Sequence, residues 1–177
     1  MKTNPWKNMT LDNIHPDFFA VHKLVYEPQG WVCSNLQQEA ESREYGACTF
    51  IMNNRHIVFR VGKITPTKVG QFVTLWKRIG KGPIMPYDMT DPIDLFVVTV
   101  CSKDHFGQFV FPKSVLYEKG IISKDGKGGK RAMRIYPAWD RADNPQAKRT
   151  QAWQLHYFFE ISPDQLVASS IPEKLFI

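Results

Sequence analysis

Cysteine is scarce in this 177-residue chain, which contains three, at positions 33, 48 and 101. Their odd number and wide spacing, with no Cys-x-x-Cys pair, argue against a disulfide framework and against a zinc ribbon. No stretch approaches the roughly 18 apolar residues of a membrane-spanning helix. Residues 1–18 also lack the apolar run of a signal peptide. These absences predict a soluble cytoplasmic protein with no membrane partner.

Several catalytic patterns are missing as well. The sequence contains no Gly-x-Ser-x-Gly nucleophile elbow. The glycine-rich segment 126–131 lacks the Ser or Thr that follows the lysine of a phosphate-binding P-loop, and it is interpreted as a mobile basic hairpin. Nor is there a Glu-x-Lys pair, because the positions two residues before Lys63 and Lys113 hold Val61 and Phe111. The sequence therefore predicts no complete catalytic motif and no resident cofactor.

Composition sets the class of protein. Hydrophobic residues make up 43% of the chain and aromatic residues 13%, which argues against disorder. A chain of this length can bury a substantial core as one unit. We therefore expect a single domain over residues 1–177, with residues 1–14 as a loose N-terminal arm.

The positive charge is unevenly placed. The net charge is +6, and residues 45–87 contain no acid. The basic residues of that stretch are Arg55, Arg60, Lys63, Lys68, Lys77, Arg78 and Lys81. A second basic set, interrupted by two acids, consists of Lys113, Lys119, Lys124, Lys127, Lys130, Arg131 and Arg134. Acids gather instead at Glu39, Glu41 and Glu44. Segregated charge with interleaved aromatic residues favours binding of DNA or RNA.

The hydrophobic pattern predicts the fold class. Strands are expected over residues 45–52, 56–63, 95–101, 106–111 and 131–136. Helices are expected from Pro16 onward and over residues 34–44, 114–119 and 146–159. Residues 68–78 are compatible with a helix or an irregular segment. The order predicts an α/β domain with a mixed β-sheet flanked by helices.

Three motifs carry a family resemblance. They read FRxxKITPxKxGQFVxxW at 59–76, GQFVFPK at 107–113 and QxWQ at 151–154. Together they resemble the MepB-like family of bacterial proteins, and the resemblance runs from about residue 39 to residue 159. It implies a fold similar to the restriction-endonuclease core, which strengthens the hypothesis of nucleic-acid binding.

The candidate binding residues follow from the charge map, the motifs and the polar face of the last helix. For nucleic acid or another anion they are Arg60, Lys63, Lys68, Gln71, Arg78, Lys113, Arg134, Gln151 and Gln154. One alternative is a nuclease using Glu44 and Asp94 with magnesium or manganese. Another is a pocket for a small anionic molecule or drug, formed by Arg60, Lys63, Gln71, Lys113, Gln151 and Gln154. The sequence does not indicate an oligomeric state.

Overall fold

The computed structural model describes residues 14–162 and 172–177, so the arm predicted at 1–14 lies outside the described residues except for Ile14. The strands are β1 (Ser34–Gln38), β2 (Cys48–Met52), β3 (Arg55–Val61), β4 (Lys63–Ile64), β5 (Gln71–Thr74), β6 (Trp76–Arg78), β7 (Ile84–Pro86), β8 (Leu95–Ser102), β9 (His105–Pro112), β10 (Ala132–Ile135) and β11 (Phe158–Glu160). The α-helices are α1 (Pro16–Val21), α2 (Lys113–Glu118) and α3 (Pro145–Gln154).

The main sheet has six strands in the order β1-β2-β3-β8-β9-β11. Its neighbours are antiparallel except for β3 and β8, which run parallel. Helices pack beside this sheet, so the predicted α/β domain with a mixed sheet is confirmed. The apolar run of β8 reflects its central position, because both faces of that strand are covered.

Each face of the main sheet has its own core. On one face, α1 and the π-helical turn His22–Tyr26 that continues it pack Phe18 and Tyr26 against Phe50 and Phe59. On the other face lies a three-stranded sheet in the order β10-β5-β4. The second core includes Val73 of β5, Ile135 of β10, Phe96 of β8, and Phe109 and Phe111 of β9. The main sheet, the three-stranded sheet and α3 thus surround the second core.

One expected helix is absent, and a segment left open between a helix and an irregular conformation forms strands instead. Residues 34–44 form edge strand β1 and the start of a 3-10 turn, Arg43–Tyr45, rather than a helix. The side chains of β1 are mostly exposed, and the strand is held by backbone hydrogen bonds to β2. Backbone pairing requires no apolar side chains, so the sequence shows no alternation of apolar and polar residues that would have indicated a strand. Residues 68–78 contain β5 and β6, where tertiary packing of Val73 decides the conformation.

The last predicted helix is shorter than expected. It ends at Gln154, a 3-10 turn follows at Leu155–Tyr157, and Phe158 begins β11 at the edge of the main sheet. Within the part of the chain that the structure describes, no helix is both long enough and apolar enough to cross a membrane.

Candidate functional site

Arg60, the first predicted anion-binding residue, is buried and already neutralised. Its side chain is 1% exposed, and its Nη1 and Nη2 donate to the two carboxylate oxygens of Glu39 at 3.0 and 2.9 Å. Nη1 also donates to the carbonyl of Phe59 at 2.9 Å, and Nη2 donates to the hydroxyl of Tyr87 at 3.2 Å. The paired guanidinium thus joins β3 to the segment after β1, and it is not presented to solvent.

Two other predicted binding residues of the first basic stretch are also paired. Lys63 Nζ lies 2.8 Å from the carboxylate of Glu44 and 4.7 Å from the centre of the Tyr45 ring. Arg78 Nε lies 3.1 Å from the carboxylate of Glu41. The acidic segment 39–44 therefore pairs with three of the seven cations in the stretch that the sequence presented as positive.

Lys113 and Gln71 bind backbone oxygens. Lys113 Nζ donates to the carbonyls of Met89 and Asp91, each at 2.9 Å. Gln71 is buried, and its Nε2 donates to the carbonyl of Cys101 at 3.0 Å. Lys113 therefore holds the loop before β8 to the start of α2, and Gln71 joins β5 to β8.

Gln151 and Gln154 have the amide partners that buried glutamines require. Gln154 is fully buried on α3, and its Oε1 accepts from the backbone N–H of Tyr136 at 2.9 Å while its Nε2 donates to the carbonyl of Arg134 at 3.0 Å. Gln151 Nε2 donates to the carbonyls of Pro137 and Asp140 at 3.0 and 2.8 Å. Gln154 thereby satisfies the free edge of β10, much as another strand would. The two glutamines fix α3 against β10 and the loop that follows it.

The two candidate carboxylates of a nuclease lie apart. Asp94 accepts from the backbone N–H of His56 at the start of β3, whereas Glu44 pairs with Lys63 beyond the end of that strand. Seven residues of extended chain separate these points by roughly 20 Å. One metal ion cannot contact both carboxylates. No group of three or more His, Cys, Asp or Glu residues within 14–162 and 172–177 is arranged to hold a metal ion.

A concave surface forms where α3 faces β10 and the loop before β5. This cavity of about 600 Å³ is the basic groove, and its basic lining residues are Lys68, Lys119, Lys130 and Arg134. Asp143 is the single acid among the described residues that line it.

Gly70 lets the loop before β5 approach β10 closely. Its φ is +83°, and a Cβ at this position would lie 2.7 Å from both the carbonyl oxygen of Ile135 and the ring of Tyr136. Arg134 Nη1 donates to Thr65 Oγ1 at 3.0 Å and to the carbonyl of Gly70 at 3.3 Å. These contacts fix the wall of the groove.

Two further cavities extend the basic surface. One of about 480 Å³ shares Lys119 and Trp153 with the basic groove and adds Arg149 and His156. The next, of about 760 Å³, shares His156 and is also lined by Arg55, Asp94, Lys113 and Lys174.

Among the predicted residues, Lys68, Arg134 and Gln154 meet in the basic groove, and Lys113 lines the third cavity. Five predicted residues line none of these three cavities: Arg60, Lys63, Gln71, Arg78 and Gln151. The six residues proposed for a small anion therefore do not form one pocket in this surface.

Four cations that line the basic groove or the cavity beside it remain available to bind an anion. Lys68, Lys119, Lys130 and Arg149 are exposed, and none of them forms an ion pair with a described residue. Three of them were outside the predicted set, although Lys119 and Lys130 belong to the second basic stretch of the sequence. Their convergence depends on the packing of α3 beside β10, which no local pattern encodes.

Asp88 anchors the basic loop that leads into Lys130. One carboxylate oxygen accepts from Ser123 Oγ at 2.7 Å and from the N–H of Gly126 at 3.0 Å, and the other accepts from the N–H and hydroxyl of Thr90. The bonds from Ser123, Gly126 and Thr90 hold the pKa of the Asp88 carboxyl well below its usual range. The carboxylate of Asp88, just after β7, thus holds the start of the segment that was interpreted as a mobile hairpin.

Replacing Asp88 with asparagine should destabilise the protein at neutral pH, because the amide nitrogen cannot accept from these donors. An unfolded aspartate has a pKa of about 3.9, so on acidification the unfolded state takes up the proton first. The contribution of Asp88 is therefore complete above that pKa and is lost as the pH falls below it. Thermal unfolding measured from about pH 3 to 7 should show a weaker acid dependence for Asp88→Asn. Parallel curves for the two proteins would contradict this assignment.

Comparison with known proteins identifies the family. A model described as MepB-like matches residues 39–160. The chain belongs to the MepB-like family. The resemblance carried by the three motifs is thereby confirmed.

Two solved structures are similar to this MepB-like protein. A crystal structure of MepB has a TM-score of 0.71 and 31% identity, with 83% of this chain and 97% of that chain covered. A bacterial homing endonuclease has a TM-score of 0.41 and 17% identity, with 80% and 87% of the two chains covered. No curated protein matches the chain.

Proposed function

We propose that this MepB-like protein binds nucleic acid through the basic groove and the adjoining cavity. The observation that carries the proposal is that four exposed cations, Lys68, Lys119, Lys130 and Arg149, line the groove and the cavity beside it, and none forms an ion pair with a described residue. Phosphates that take these positions release condensed counterions, which favours binding at low salt. Cations already paired inside the protein would gain less from the same phosphates.

The exposed cations of the groove form no ion pair with a described residue, whereas several cations of the first basic stretch do. Lys63 and Arg78 would each have to leave a carboxylate before contacting a phosphate. Lys68 lies between them in sequence but is exposed on the groove wall. The proposed interface therefore consists mainly of the second basic stretch and α3, with Lys68 contributed from the first.

Replacing Lys130 with alanine should weaken nucleic-acid binding without affecting the fold, because its side chain is exposed and forms no ion pair with a described residue. Loss of one phosphate contact lowers the slope of log affinity against log salt by about 0.7 for a single strand and 0.9 for a duplex. Fluorescence anisotropy with a labelled oligonucleotide at several salt concentrations measures this slope. Lys81→Ala is the matched control, since Lys81 is exposed and lies outside the groove.

Two results would contradict the proposal. One is the absence of binding to any DNA or RNA at low salt by the unaltered protein. The other is an equal loss of slope in the Lys81 and Lys130 variants, which would indicate that net charge alone attracts the nucleic acid.

A further inference from the structure

Trp153 lies at the junction of the basic groove and the adjoining cavity. It lines both, and its ring centre is 5.5 Å from that of Phe111 in the core at an angle of 53°. Lys119 Nζ lies 5.5 Å from the indole centre. The ring is half-buried, so it is packed against the core while still bordering open space.

The basic groove also has the size and lining of a site for a flat ring. Its volume of about 600 Å³ falls within the roughly 300–1,000 Å³ of pockets that enclose small organic ligands, the size class of a nucleotide. Tyr136 and Phe72 line it together with Trp153, and Thr150 and Gln146 add polar side chains. Phosphate contacts alone would need none of these rings.

Base pairing decides which nucleic acid can use such a site. In a duplex the faces of the bases are stacked on one another, so a protein reaches only the backbone and the base edges in the grooves. An unpaired base can leave the stack and lie against an aromatic ring. The combination of exposed cations and a half-buried indole therefore matches a single strand better than a duplex.

We propose that the basic groove binds unpaired nucleotides, with a base stacked on Trp153 and phosphates contacted by Lys68, Lys119 and Lys130. This inference rests on the proposed function. Lys119 lies over the indole in the free protein, so the stacking base displaces its ammonium group, which then contacts a phosphate. One side chain thus covers the ring before binding and holds the strand afterwards.

The direct test compares one labelled oligonucleotide as a single strand and annealed to its complement, by fluorescence anisotropy with the full chain at low salt. We expect the single strand to bind at least about fivefold more tightly, the lower limit for one stacked base. Equal or tighter binding of the duplex would overturn this inference and leave nucleic-acid binding itself supported. Binding of neither form would overturn both.

Variants separate stacking from charge. Trp153→Leu should lower single-strand affinity about five- to 150-fold without changing the salt slope. Trp76→Leu is the matched control, because Trp76 is also half-buried with a cation 5.6 Å from its ring centre, yet lies outside the groove. Lys119→Gln should reduce the slope by about 0.7.

Trp153 also contacts the core, so folding of its variant is verified by circular dichroism and thermal unfolding. Trp153→Phe keeps an aromatic ring and should retain most of the affinity, which distinguishes stacking from a loss of structure. A folded Trp153→Leu protein with unchanged single-strand affinity would overturn the proposed stacking.

Discussion

Replacing Glu39 with alanine is expected to destabilise the folded protein by about 3 kcal/mol. The variant would leave the guanidinium of Arg60 buried without a counter-charge, at a position where its side chain is 1% exposed. Breaking a buried pair in this way typically costs 3–5 kcal/mol, and we expect the lower end because Glu39 is 28% exposed. Urea unfolding followed by circular dichroism measures the loss.

A double-mutant cycle identifies the cause of that destabilisation. Arg60→Met removes the buried charge, and Glu39 can then be hydrated through its exposed part, so this variant should be less destabilised than Glu39→Ala. Adding Glu39→Ala to Arg60→Met should cost little more, since the uncompensated charge is already gone.

The exposed pair Arg78–Glu41 is the control for the cycle, and Glu41→Ala should cost at most about 1 kcal/mol. If Glu39→Ala lost no more than this control, the buried ion pair would not be a significant source of stability.

The central strands could be predicted from the sequence because their signal is local. Residues 95–101 are almost entirely apolar, and the structure places β8 in the middle of the main sheet. The turn at Asn53-Asn54 likewise indicates the hairpin of β2 and β3, where both asparagines have positive φ. Burial on both faces and a sharp turn each leave a pattern in neighbouring residues.

The edge strand and the state of the basic residues depend on distant parts of the chain. Residues 34–38 are polar and pair through their backbone, so their composition resembles that of an exposed helix. The acids at 39, 41 and 44 are separate in sequence from the basic stretch 55–81, yet each pairs with one of its cations. Segregation of charge along a sequence therefore does not imply segregation on the surface.

The same contacts explain which basic residues remain available for a ligand. Strand β1 and the turn after it bring the acidic segment against the end of β3, which neutralises Arg60 and Lys63. Beside α3, Asp143 is the single acidic lining residue of the groove among those described. The available cations consequently gather on the α3 side of the molecule.

Changing Lys68, Lys119, Lys130 and Arg149 together to glutamine is expected to abolish most nucleic-acid binding. Four phosphate contacts on a single strand give a salt slope of about −2.8, which at about 0.1 M salt corresponds to several hundred-fold in affinity. All four side chains are exposed and form no ion pair with a described residue, so the variant should fold with little loss of stability.

The matched control removes the same net charge elsewhere. It changes four exposed cations outside the three cavities to glutamine: Lys81, Lys103, Arg141 and Lys148. Anisotropy titrations over a range of salt concentrations should show a strongly flattened slope for the groove variant and a nearly unchanged slope for the control. Similar slopes for both would mean that the protein attracts nucleic acid through its overall charge, and the groove would then have no special part in binding.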